Sequence, residues 1–593
     1  MKKRVIQGVR AARDDEGFVF FAESVDEMLY DYTLDTYKPS THNASTLAHE
    51  VARTIEDIEE GRVDKGHLPH LIEELRWMIG LDATARKLLA VDHESLLSEC
   101  SSDQMASAKA KVSLVQSALA GRLYLNACVR TLQDLVPVGR EKKEVWFTTR
   151  QWITSLLWAN YTRRFIREKL VEHFFTETAA PPSCSQRFHG FLESFDFKKR
   201  NYVVVFATSK LFWEIKKSCR DMGAEISQAA PQGVPAPQLA QMRLSEGRVF
   251  VSINSIEARD PYAARKQGEE FLSRIADIFS VFHHREALGW SDAAWVSADL
   301  PSGEGALIGN PVDPVARVSD SVPVKSARLM HKAVMEFQLQ EEALDQFNRV
   351  VSLHGAAIRS KETNIQLLNL WSALEAMVPA CISGAKVKSV ISALSPFVQL
   401  AYPIKLVDDV VSDIYSFDSA FWRTFLKSGE KLAKRQSRRR LVEILLVPEF
   451  TDDRVRLLDG LARYPLLHNR CHVVAERMKS AADVRRMVES HERKVSWQVR
   501  RIYRTRNMYI HSGKRVVLMD TLVENAHHYL DIYLDAVQRL SELSPSISTL
   551  DQAWLVASER MREWMAQLNK KEAFDASNVS RLVLGPIGDV PWR

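Results

Sequence analysis

The sequence predicts a mainly α, multidomain fold: an N-terminal helical region, a small α/β domain and a C-terminal helical bundle. Three observations predict it. The 593 residues are too many for one hydrophobic core, so about three or four domains are expected. Apolar residues recur three and four apart over long stretches at the front and rear of the chain, the period of an amphipathic helix. Between those stretches lie short β-branched and aromatic runs, the composition of buried strands.

Taken in order, residues 1–180 form the N-terminal, mostly helical region, with a regulatory role expected. Its first forty residues contain FVFFAESVDEMLYDYTLDTY, which suggests a short strand or two. From about residue 44 to 175, LIEELRWMIGLDATARKLLAV and SAKAKVSLVQSALAGRLYLNACVRTLQDLV carry helical periodicity. Pro181-Pro182 stops it. Residues 190–300 read as the α/β domain, with strands at Tyr202–Phe206 and Arg248–Ile253. Asp260 before Pro261 is a suitable cap and first residue for the helix that follows. The Gly- and Pro-rich segment LPSGEGALIGNPVDPVARVSDSVPV places a boundary near residue 322. Residues 322–545 then read as helices throughout, including 362–379, 386–400, 405–427, 480–511 and 517–542. A last helix and a weakly patterned tail occupy 546–593.

The bulk properties narrow the function. A net charge of +5 against 80 basic and 75 acidic residues permits nucleic acid as a partner but demands that any basic surface be local. No run of 18 apolar residues appears, so no membrane span is expected. MKKRVIQGVRAARDDEGF has a basic start without an apolar stretch after it, unlike a secretory signal. The six cysteines are scattered and form no CxxC pair, which fits a reducing, cytoplasmic setting. No GxxxxGK[ST] phosphate loop and no HExxH zinc motif occurs. No cofactor and no metal ligand set is therefore expected, and His283-His284 and His527-His528 read as ordinary histidines.

The segment that carries chemistry is Lys494–Gly513. Val495, Val499, Ile502, Tyr503 and Ile510 place one buried stripe on a helix, and Gly513 is a suitable stop, which puts His511 in the last turn. Asn507 and His511 are four apart and share a face, as do Arg504 and His511 at seven apart. Arg506 lies about 140° away on ideal geometry, within reach of a long guanidinium. These types suit metal-independent RNA cleavage. A histidine exchanges the proton of the attacking 2′-hydroxyl near neutral pH. An arginine offers paired donors to the phosphoryl oxygens as negative charge builds on them, and an asparagine orients either group. The spacing alone has little specificity in a chain with 80 basic residues and 17 histidines. Arg463 to His468 and Arg167 to His173 are decoys of similar gap.

Context adds what spacing lacks. Asn364–Val378, with its LWSALEA core, resembles the early helix of Apea-like HEPN domains. RRIYRTRNMYIHSG resembles their late helix, in which Arg-Asn, three residues and His-x-Gly recur. The two lie in the right order about 130 residues apart. The resemblance covers roughly residues 325–545 and departs from the family in a long insertion between the motifs. It implies a HEPN-type helical bundle that dimerises to join two strips into one ribonuclease site. Arg506 and His511 would be the catalytic pair, with Asn507 beside them. Glu375 would be the acid of the early helix, its rival role being a structural pair with an arginine. Arg504 would share the phosphate contact. The family also implies a toxin-like or anti-phage effector acting on RNA, tRNA or another single-stranded RNA, released by a phage-derived or cellular trigger.

Within the insertion, the basic run Lys431–Arg440 nominates Lys434, Arg435 and Arg438 as contacts to the RNA backbone, against the rival reading of a solvated linker. Tyr202, Phe206 and Phe250 are candidates for a stacking platform, with a packed core as the rival. A non-enzymatic alternative assigns the bundle to RNA binding or dimerisation. A metal-dependent nuclease is a third class, for which the sequence offers no carboxylate cluster.

Overall fold

A computed structural model describes residues 15–30, 41–98, 100, 104–177, 182–231, 233–242, 248–298, 305–317, 322–336, 339–426, 434–512, 519–543, 546–570 and 572–586; side chains at 317, 332–336, 511–512 and 543 lie outside that description. The protein is mainly α, with helix over 72% of it and one small antiparallel sheet. It divides into two compact units. One joins residues 1–152 to 313–593, and the other is Ile153–Val312. The N-terminal helices through Trp152 thus share a unit with the C-terminal helices, where periodicity alone suggests separate regions.

The second unit is built on five antiparallel strands: β1 (Arg200–Ser209), β2 (Ala224–Ser227), β3 (Arg248–Ala258), β4 (Trp290–Ser297) and β5 (Gly305–Ile308). Their spatial order is β2-β3-β1-β4-β5. Side chains alternate across a strand. Val204 and Phe206 of β1 join the core shared with the helix Pro261–Ser280, while Val205 and Ala207 join a smaller cluster with Phe250 and Trp295 on the opposite face. Asp260 caps that helix, its carboxylate accepting from the Ala263 amide at 2.8 Å. Gly268 lets the helix approach the sheet, since a Cβ there would stand 3.1 Å from both Phe206 and Val204. Tyr202, Phe206 and Phe250 are all buried, so they are core residues and present no stacking platform.

In the first unit, the helices from residue 341 onward enclose one continuous apolar core. Two expectations are corrected here. FVFF lies in the helix Glu16–Leu29, with Phe18, Phe20 and Phe21 buried. A short apolar run has no period that separates strand from buried helix. The stretches 386–400 and 405–427 are in large part a single helix, Lys386–Phe417, that carries Pro396 and Pro403 internally. Each proline removes a backbone hydrogen bond. Burial of Val398, Leu400, Ile404, Leu406 and Val407 around them offsets that loss. Among the described residues this is the one helix long and apolar enough to cross a membrane, and 67% of its most apolar window is buried in the protein. It is the central core helix of the unit.

Buried ion pairs tie the N-terminal helices to the later ones. Arg470, in the helix Pro465–Arg477, meets Asp413 and Glu27, the latter at 3.2 Å. The Glu23 carboxylate accepts from the Leu466 amide at 2.9 Å. All six cysteines are free thiols.

Candidate functional site

The helix Ala481–Ser512 carries the Arg506–His511 strip at its C-terminal end. Val488, Val495, Val499 and Ile502 bury one face of it in the core. Tyr503 continues that face and packs its ring 5.3 Å from Trp371, which belongs to the helix Thr363–Ala376. The two segments that carry the family resemblance are therefore in contact. The buried stripe ends there, and Ile510 is 47% exposed, contrary to the expected continuation.

Three arginines along the last turns have different surroundings. Arg501 is buried and bridges Glu50 at 3.0 Å and Glu74 at 2.6 Å. Arg504 is buried and donates to Glu50 at 2.9 Å, and His42 stands 3.2 Å from the same carboxylate. Burial alone would raise Glu50, but the charges of Arg501 and Arg504 outweigh it and hold the acid well below the usual carboxylate range. Burial lowers His42 to about 3, so that imidazole is neutral. Arg504 is thus corrected from phosphate contact to structural ion pair. Its partner comes from the helix Ala44–Glu59, 454 positions away, which no local pattern reveals.

Arg506 differs. It is half-buried, its Nη1 donates to the Asn507 side-chain oxygen at 2.9 Å, and its Nε has no hydrogen-bond partner. Among the described residues it meets no carboxylate. Arg500, one turn before Arg504, is also half-buried with an unpartnered Nε. His511 occupies the last turn of the helix, and its side chain is outside the described set. Glu375 is half-buried near the end of Thr363–Ala376, and no arginine among the described residues pairs with it.

Sequence reasoning missed the N-terminal histidines at this end of the helix. The His67 ring lies 5.8 Å from Tyr503. Burial, and next the charge of Arg504, lowers its pKa to about 4. Its neutral imidazole therefore stands beside the strip at pH 7. Nothing in the spacing of residues 64–70 signals this placement.

The basic run resolves into two parts. Lys431–Ala433 lie outside the described residues, and Lys434 and Arg435 are exposed at the start of the helix Lys434–Leu446. Arg438 is buried and forks onto Asp408 with two bonds of 2.7 Å. It is a structural pair and is corrected from the set of RNA contacts. Arg440 likewise binds Asp453 at 2.5 Å.

Further back along Ala481–Ser512, a cavity of about 250 Å³ opens between that helix and N-terminal residues of the same unit. Lys405, Arg477, Lys494 and Arg150 line it, together with Trp77, Trp146 and Trp497. Its acid, Glu74, is already paired with Arg501. Lys494 lies 5.0 Å from the Trp77 ring.

His527 and His528, read from sequence as ordinary histidines with no ligand set nearby, both have polar partners. His528 bonds Lys405 at 2.7 Å, and His527 faces His354 and Asp531. In comparisons with known proteins, no family model, curated protein or solved structure matches the chain.

Proposed function

We propose that the C-terminal helices form a HEPN-type, metal-independent endoribonuclease that works as a homodimer on RNA. The observation that carries this reading is the state of Arg506. Among Arg501, Arg504 and Arg506 it is the one without a carboxylate, and it is held by Asn507 on a helix packed through Tyr503 onto Trp371. A half-buried guanidinium with spare donors is suited to an anion. The cationic, tryptophan-lined cavity on the same helix adds support, because nucleotides pair phosphates with Lys and Arg and stack bases on aromatic rings.

In the reaction, the 2′-oxygen bonds to the adjacent phosphorus and the phosphorus–5′-oxygen bond breaks. His511 exchanges the 2′ proton, directly or with its dimer mate, and a proton returns to the leaving 5′-oxygen. Arg506 stabilises the charge on the phosphoryl oxygens. The products are a 2′,3′-cyclic phosphate and a 5′-hydroxyl. A toxin-like or anti-phage role, with the N-terminal helices restraining the strip until a trigger arrives, follows from the resemblance.

The test is incubation of the full chain with total tRNA in EDTA. Cleavage to cyclic phosphate ends is expected, reduced at least ~100-fold in His511→Ala and in Arg506→Ala with unchanged melting temperature. Cleavage that EDTA abolishes would transfer the activity to a metal-dependent mechanism. RNA binding or dimerisation without cleavage would leave the non-enzymatic role.

A further inference from the structure

The helices Glu341–Arg359 and Met519–Leu543 bring three donor groups to one point. His354 Nε2 lies 2.8 Å from His527 Nε2 and 3.3 Å from an Asp531 carboxylate oxygen, which in turn stands 3.7 Å from His527 Nε2. His527 and Asp531 are four apart on one helix and so share a face. We propose that His354, His527 and Asp531 bind a divalent first-row transition ion of the Zn²⁺ type. The assignment is independent of the ribonuclease reading.

The geometry favours a cation over a shared proton. A tetrahedral ion with bonds of ~2.0–2.1 Å separates its ligand atoms by ~3.3 Å. The three observed separations bracket that value and average to it. A proton shared by the two imidazoles spans only their 2.8 Å contact, and the carboxylate then competes for the same His354 nitrogen at 3.3 Å. A metal ion takes a lone pair from all three. Two imidazoles and one carboxylate are borderline ligands, suited to Zn²⁺ and its neighbours rather than to Mg²⁺ or Ca²⁺, which prefer all-oxygen shells. His527 is buried, whereas the Asp531 side chain is 32% exposed, so the group opens to solvent on the carboxylate side. Three protein ligands with one open position can hold a water or an exogenous ligand. The ion would also clamp the two helices, since its affinity adds to the stability of the fold that presents the ligands.

The test uses the full chain, stripped with EDTA and titrated with Zn²⁺ and with Co²⁺. About one equivalent of Zn²⁺ per chain is expected to bind tightly enough to raise the melting temperature, and Co²⁺ to give visible bands of a nitrogen- and oxygen-ligated site. His354→Ala and Asp531→Asn should each weaken Zn²⁺ binding at least ~10-fold, the range seen for perturbed metal sites. His528→Ala, whose side chain bonds Lys405, should leave binding unchanged. Circular dichroism verifies that each variant is folded, and His354→Gln replaces His354→Ala if that variant is not. Absence of a tight equivalent, or equal binding by wild type and the folded His354 variant, would show a hydrogen-bonded histidine pair and overturn the proposal. Because the readout is binding, its failure leaves the cleavage assay in EDTA unaffected, and the reverse holds too.

Discussion

Arg504 and Arg506 stand two positions apart on one helix and face different environments. Removing the Arg504 side chain leaves Glu50 buried with less of its compensating charge. Breaking such a pair costs about 3–5 kcal/mol. Arg504→Ala should therefore lower the midpoint of chemical denaturation sharply, while Arg506→Ala should shift it by less than ~1 kcal/mol and remove cleavage. A cleavage loss in Arg504→Ala that persists in a fully folded sample would show instead that Arg504 acts on the phosphate. The helix and its end near residue 512 were readable from periodicity. The carboxylate that captures Arg504 was not, because it belongs to an element at the other end of the chain. Asp409 supplies a pH test at this scale. Burial raises its carboxyl to about 7, and one of its oxygens is buried without a partner. The folded state thus holds a proton that the unfolded state, at an ordinary pKa of 3.8, has released. Stability contributed by this group falls as pH rises from about 4 to 7 and levels off above. Asp409→Asn should flatten that slope and be the more stable protein at pH 8, by at most ~4 kcal/mol at ~1.4 kcal/mol per unit. A parallel pair of melting curves against pH would remove Asp409 as the cause.

At the scale of elements, reading succeeded where one period ran long. The expected helices at 480–511 and 517–542 are Ala481–Ser512 and Met519–Leu543. The expected start of the α/β helix at Pro261 is observed, with its Asp260 cap. It failed where the signal was short or contradicted. β2 and β5 have four residues each, too few to show alternation, and β4 carries Ser291 and Asp292 among its apolar residues. The gap expected between 400 and 405 lies inside one helix, which continues through Pro403. The contact that joins the two family-like segments is likewise tertiary, and it can be tested by size. Trp371 is fully buried and its indole N–H has no hydrogen-bond partner. Trp371→Ala leaves a cavity against Tyr503 and should cost about 3–5 kcal/mol. Trp371→Phe keeps most of the volume and gives up no hydrogen bond, so it should cost less than ~1.5 kcal/mol. Equal losses for the two, measured by urea denaturation, would mean that the filled volume of the ring is not what holds the pair of helices together.

For the whole molecule, length and composition supported several domains but not their connectivity, since residues 1–152 and 313–593 form one compact unit and Ile153–Val312 another. The α/β unit has apolar clusters on both faces of its sheet, formed from its own residues. A chain segment with its own core can fold alone. The excised fragment Ile153–Val312 should therefore show a cooperative thermal transition. The other unit is different, because its second stretch depends on the first for charge balance. Arg470, Arg501 and Arg504 find Glu27, Glu50 and Glu74 there, and Trp497 packs its ring 5.4 Å from Trp77. Expressed alone, residues 313–593 would expose Trp497 and leave those arginines short of partners. The fragment should aggregate or unfold at a lower denaturant concentration than the full chain, and co-expressed 1–152 should rescue it as a complex. If 313–593 alone is soluble and unfolds at the denaturant midpoint of the full chain, the N-terminal helices are an accessory to the candidate ribonuclease fold rather than part of it.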